Sequence, residues 1–414
     1  PFSGGRGNGF SARVYKNSST GEVVISYAGT EFGNTTSGFI SDFISGNIPL
    51  ALGRYGAQAL EAAKLYQRVK ADAALSDNIT FTGHSLGGGL ASVMAVWFDR
   101  PATVFAAAPF QRSADSSQVD PTLGPPNPAL ARVKAELLKV GAIDPAFAAY
   151  NPFTDFAARE QNVTAYAIKG ELLEARLGMF NWIERTPTPL FNSNAITLDA
   201  GNKHSIDLHA AALLVPNFQS QAALVPNALT VLMDGKLYGG SVTGNQQLLI
   251  TKLIRNEVGV RDETSGNTIL AANGMLTHFT ADLQKLGTTI TGLNQAAQDA
   301  IVAQGIEWYY WQSTSYTGQE FLTVSNGVLQ YTTARGDGFD GALNRASVYT
   351  NIWTNSLIAQ GAVQTGGLTS FEASRYQQWN VASTSAGSTA TARDAQKSQI
   401  FIGNGGADSF SGGT

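Results

Sequence analysis

The chain has 414 residues, with 27 basic against 31 acidic side chains, a net charge of −4 and no cysteine. That length favours two domains over one modest core, and a nearly balanced charge without basic runs excludes nucleic acid as a partner. The lack of cysteine excludes disulfides, thiol catalysis and thiolate metal sites, and no apolar stretch reaches the roughly 18 residues that span a bilayer.

In chain order, residues 9–17 and 21–29 read as two strands joined by a turn. Residues 54–74 are helix-forming, with Leu60, Ala63, Leu65, Tyr66 and Val69 as an apolar stripe. A strand at 78–84, a helix at 86–99, buried strands at 102–108 and 163–169 and a helix at 205–214 follow. Strands apolar on both faces that alternate with helices indicate an α/β fold with a mostly parallel sheet and helices on both faces. Two segments interrupt the alternation, 33–53 and 110–160. Each follows a strand, where the site loops of open α/β sheets emerge, and each reads as a lid-like insertion or as a packed helix. Beyond residue 215, stretches 246–258 and 276–311 read as helices and 321–333 as strand. The expected organisation is a core over 1–215, an accessory or cap region over 216–395, and a distinct tail over 396–414.

Between the strand at 78–84 and its helix lies Gly83-His84-Ser85-Leu86-Gly87, a G-x-S-x-G turn. In a nucleophile elbow the serine sits on a sharp strand-to-helix turn that exposes its hydroxyl. The flanking glycines are needed where a Cβ would strike the neighbouring strand or helix. Ile79 and Phe81 before the turn, and Leu90, Ala91, Val93 and Met94 after it, supply the required context. Ser85 is therefore read as a nucleophile. It needs a base within reach and a group to orient that base. Of the four histidines, His84 adjoins the serine and points away from it, and His278 lies far along the chain. His204 and His209 remain, in the segment NKHSIDLHAAALL that begins at Asn202.

Residues 81–91, FTGHSLGGGLA, resemble the elbow of the class 3 lipases, a family of α/β-hydrolases. Residues 22–31, EVVISYAGTE, are similar to that family's strand ending in apolar-Arg-Gly-Thr/Ser, with Ala28 where the arginine stands. The resemblance covers residues 9–215 and implies a catalytic triad in the order serine, acid, histidine. It favours His204, a few residues before an apolar helix, with His209 as the alternative base. Residues 166–173, YAIKGELL, are similar to the strand that carries the family's acid and place Glu171 in that role, with Glu174 and then Asp199 as rivals. The oxyanion donors would be the backbone N–H of Leu86, at the start of its helix, and Thr30.

The implied activity is hydrolysis of carboxylic esters of lipids through an acyl-enzyme, as a triacylglycerol lipase or esterase. A phospholipase A1 or secreted lipolytic effector is the alternative. An acyltransferase with the same triad, or a non-catalytic secreted scaffold, ranks below these. Lipid or another ester is the expected substrate, met by transient contact with a membrane or lipid-droplet surface. Such a triad needs no cofactor.

The last fifteen residues, IFIGNGGADSFSGGT, resemble the start of an RTX array of calcium-binding nonapeptides. Asp408 stands where one repeat places its carboxylate, so calcium is expected only through this tail. Pro1 opens the chain without a Met or an apolar signal segment, as in a processed or partial chain. Together with 14 % charged residues, these features point to secretion, by the type I route, without a cleaved signal peptide.

Overall fold

The computed structural model describes residues 10–29, 57–75, 77–115, 129–141, 143–177, 187–191, 198–225, 228–233, 248–259 and 272–292, and the backbone of several short strands after residue 260. Thr30, the insertion at 33–53 and Asp408 lie outside the described residues. The chain forms two compact units, one of residues 1–193 with 199–209, the other of 194–198 with 210–414.

The first unit is built on a mixed sheet of six strands, β1 (Ala12–Lys16), β2 (Val23–Tyr27), β3 (Ile79–His84), β4 (Ala102–Phe105), β5 (Val163–Ile168) and β6 (Thr188–Leu190). They lie side by side in sequence order; β1 runs antiparallel to β2, and every later pairing is parallel. This is an α/β fold. Register aligns Ile25 with Phe81, Phe81 with Ala102, and Ala102 with Val163, a row of buried apolar side chains across the sheet.

Helix α1 (Ala57–Ala71) buries Ala59, Ala62, Ala63, Tyr66 and Val69, the three-and-four spacing of an amphipathic helix. Helix α2 (Leu86–Phe98) is buried at every position, which its sequence LGGGLASVMAVWF allows because it carries no charge. It packs on β2, β3 and β4 and against α1. The connection from β4 to β5 consists of α3 (Gln111–Ala114), α4 (Ala129–Val140), α5 (Pro145–Ala149) and α6 (Pro152–Arg159). Within this 110–160 segment Val133, Leu137, Phe147, Tyr150 and Phe156 are buried in the core. Its described helices contact α1 or α2, so they form the packed crossover between two strands. When parallel strands are added in one direction, right-handed crossovers place their helices on the same face, which accounts for that single layer of touching helices.

Asp144 ties the layer together. Its carboxylate accepts from the Ala146 N–H at 2.8 Å and so caps α5. It also pairs with Lys70 of α1 at 2.6 Å and accepts from the Tyr66 hydroxyl at 3.2 Å.

Further on come α7 (Leu172–Leu177), α8 (Ala200–Lys203) and α9 (Ile206–Leu214). In the second unit, α10 (Phe218–Leu224) and α12 (Leu249–Val258) pack on α13 (Met275–Ile290), and α11 (Ala228–Leu232) lies between α10 and α12 in sequence. Short strands follow. β7 (Gln377–Ala382) pairs in parallel with β9 (Ser398–Ile402), and β8 (Thr389–Thr391) pairs in parallel with β10 (Ser409–Ser411). The chain thus alternates between two small sheets.

Candidate active site

β3 delivers Ser85 at its carboxyl end, the edge at which open parallel sheets bind ligands. The serine has φ 55° and ψ −125°, a left-hand-side conformation that costs a residue with a Cβ on the order of 1–3 kcal/mol. Close packing imposes it. A Cβ on Gly87 would sit 2.1 Å from the Tyr27 carbonyl oxygen, and one on Gly83 would sit 2.3 Å from the backbone of Gly87. Only glycine at both positions lets α2 turn back so tightly against β2 and β3. Backbone bonds then lock the turn: the Ser85 N–H donates to Phe105 O at 3.0 Å, and Ser85 O accepts from Ala108 N at 2.9 Å and Gly89 N at 3.1 Å.

Ser85 is buried, and its Oγ makes no hydrogen bond among the described residues. Two features beside it suit a developing negative charge. The Leu86 N–H opens α2, whose dipole is positive at that end. The exit of β2 also passes close by, since a Cβ on Gly29 would lie 3.6 Å from Ser85 Cβ.

Glu171 follows β5 across a turn in which Gly170 has φ +75°. Its carboxylate is buried and bonded at both oxygens. Oε1 accepts from the Glu174 N–H at 2.8 Å, Oε2 accepts from the Leu173 N–H at 3.0 Å, and Oε2 also meets Nδ1 of His204 in a short, buried contact. Glu171 therefore caps α7 and holds the histidine at once. Glu174 faces the other way, accepting from the Gly170 N–H. That reciprocal arrangement is a capping box shifted by one residue, and it steadies the loop that carries Glu171.

His204 sits just past α8, whose first turn is capped by Asp199 accepting from Asn202 N at 2.9 Å. A carboxylate can only accept, so the proton between His204 and Glu171 resides on Nδ1 when the histidine is neutral, and Nε2 then carries the lone pair. His209 lies one turn into α9 and is wholly buried. Its Nδ1 donates to the Ser205 carbonyl at 2.8 Å, the local bond of an ordinary helical histidine. Burial lowers its pKa. The structure thus brings Glu171 together with His204, and gives Glu174, Asp199 and His209 local capping or helix bonds. The fourth group in this cluster is His84, whose ring centroid lies 4.6 Å from that of His204 and 6.1 Å from that of His209. Sequence reasoning set it aside because it points away from Ser85.

Residues 4–176 match the family model described as a Tle-like phospholipase domain. That match supports a lipase- or phospholipase-like family for these residues. The matched stretch includes the elbow, the β2 exit and Glu171, and stops before His204. No curated protein matches the chain significantly. The family model speaks of phospholipase where the sequence resemblance pointed first to triacylglycerol lipases, and both support a lipid-hydrolysing enzyme.

Proposed function

We propose that this chain hydrolyses a carboxylic-ester bond of a phospholipid through an acyl-enzyme on Ser85. The observation that carries the reading is the buried contact between Glu171 and Nδ1 of His204, in the same sheet unit as a serine held at φ 55° on an elbow. In this reading His204 Nε2 takes the Ser85 proton as Oγ attacks the ester carbonyl, and Glu171 keeps Nδ1 protonated and stabilises the imidazolium that forms. The tetrahedral oxyanion is held by the Leu86 N–H and by a donor from the chain beyond Gly29, where the sequence has Thr30. His204 returns the proton to the departing glycerol oxygen, which releases a lysophospholipid. Water then attacks the acyl-enzyme by the same relay and frees the fatty acid and Ser85. A Ser85 Oγ without a hydrogen bond among the described residues fits a free enzyme, because catalytic hydrogen bonds often tighten only with substrate in place.

The phospholipase description of the family model supports a phospholipid over a triacylglycerol. The test is incubation with phosphatidylcholine vesicles beside a trioleoylglycerol emulsion, with product masses read for the wild type and Ser85→Ala. Fatty acid plus lysophosphatidylcholine are expected from the wild type, and a folded Ser85→Ala should lose at least about a thousandfold in rate. Diacylglycerol or phosphatidic acid as products, or a fully active Ser85→Ala, would sink the acyl-ester mechanism. Preference for trioleoylglycerol would keep the mechanism and change the substrate.

A further inference from the structure

We propose that His84 is a positioning residue, whose ring N–H holds the backbone carbonyl of His204 and so pins the base to the strand that ends in the nucleophile. The inference rests on the roles given above to Ser85 and His204. Nε2 of His84 lies 2.7 Å from the His204 carbonyl oxygen, across 120 residues of sequence. A carbonyl can only accept, so Nε2 must carry the proton, which fixes the tautomer. The ring is mostly buried, and burial together with the nearby His204 lowers its pKa to about 3. It is therefore a neutral donor at working pH. Neutrality matters here, because a cation this close would oppose the imidazolium that His204 must become.

The geometry explains what the bond adds. Glu171 holds one ring nitrogen of His204 and controls how the imidazole is turned. It does not fix where the main chain of His204 lies. His84 fixes that, and it does so from the residue next to Ser85, so nucleophile and base share one rigid anchor at the end of β3. The base is thus held from two strands, β3 through His84 and β5 through Glu171. A displacement of about 1 Å in such a pair can cost on the order of a hundredfold in rate. An aliphatic side chain would fill the same space without a donor. Glutamine places an amide N–H at a similar reach.

The experiment compares wild type, His84→Leu, His84→Gln and Ser85→Ala as full chains, with kcat and KM measured on a short-chain p-nitrophenyl ester. Nitrogen-15 histidine spectra at neutral pH report the His84 tautomer. The expected result is a fall in kcat of about 10- to 100-fold for His84→Leu with KM within about twofold, and recovery to within about fivefold in His84→Gln. The wild-type spectrum should show His84 protonated on Nε2. A His84→Leu as fast as the wild type, a His84→Gln no better than His84→Leu, or an Nδ1-protonated His84 would each overturn the proposal. If His84→Leu does not fold, His84→Gln and the tautomer decide it: slow turnover by a folded His84→Gln, or the wrong tautomer, overturns it. If Ser85→Ala keeps full activity, the serine mechanism itself fails. An Nε2–H found in that case would mark a purely structural bond, and the positioning role would fall with the mechanism.

Discussion

Ser85 and His204 are held by different kinds of constraint. Around the serine the constraint is steric: Gly83 and Gly87 leave room for two backbones that a single methyl would force apart, and the serine's strained φ follows. Around the histidine the constraint is a set of directed bonds, from Glu171 to the ring and from His84 to the main chain. Steric placement is stiff and fails abruptly, because backbone atoms cannot yield as side chains do. Placement by hydrogen bonds fails by degrees, and each bond can be removed while the fold stays. A site assembled in both ways has one half that is sensitive to volume and one half that is sensitive to proton donors and acceptors.

The largest effect should come from the bonded half. Glu171→Gln is expected to lower kcat by about a hundred- to ten-thousandfold with little change in melting temperature, since the wrong tautomer of His204 would then be favoured. Glu174→Gln, which acts only through the loop, should cost less than about tenfold. Likewise His204→Ala should match Ser85→Ala, whereas His209→Ala should not. Steady-state kinetics on one soluble ester decide these pairs, and equal losses for Glu171→Gln and Glu174→Gln would erase the distinction between acid and cap.

The steric half should answer in stability before it answers in chemistry. Gly87→Ala forces a Cβ to within 2.1 Å of the Tyr27 carbonyl, so β2 or α2 must move. A loss of about 3 kcal/mol is expected, at the upper end for overpacking, and urea unfolding would measure it. A loss below about 0.5 kcal/mol would mean that the elbow is softer than its geometry implies.

A smaller effect lies in pH. His84 has a folded pKa of about 3 against an unfolded value near 6.5. Below that unfolded value the unfolded chain binds a proton that the folded chain refuses. The stability held by neutral His84 is therefore complete above about pH 6.5 and is lost as pH falls towards 3. The slope in that window is at most about 1.4 kcal/mol per pH unit from this group, and the lowered pKa of His209 adds in the same direction. Unfolding free energies at pH 7, 6 and 5 should fall less steeply in His84→Gln than in the wild type. Parallel curves would show that His84 titrates normally in the folded protein.

Much of this was legible in the sequence wherever the signal is local. The strand before Ser85, the buried helix after it and the alternation of strand and helix up to residue 214 all follow from composition and spacing, because propensity and burial act over a few residues. The helix read across 276–311 is described only to Ile290, where Thr291 leaves the helical region and Gly292 takes φ +83°. A run of apolar residues does not reveal such a stop. The 110–160 segment, read as a lid or a packed helix, proves in its described parts to be a crossover, since Phe147 and Val133 are buried against helices far away in sequence.

The sequence by itself determined the elbow: glycine spacing and flanking apolar residues dictate a strand, a tight turn and a helix without reference to the rest of the chain. Only the tertiary structure decided which acid meets which histidine. Glu171 and Glu174 have the same chemistry and almost the same position, and His204 and His209 lie five residues apart. What separates them is the partner each reaches: Glu171 meets Nδ1 of His204, whereas Glu174 accepts from the Gly170 N–H and His209 donates to the Ser205 carbonyl. That is set by strand register and packing over the whole unit, and no local pattern encodes it. The bond from His84 to His204 belongs to the same class, because residues 120 apart in sequence become partners only when β3 and the segment after α8 reach the same end of the sheet.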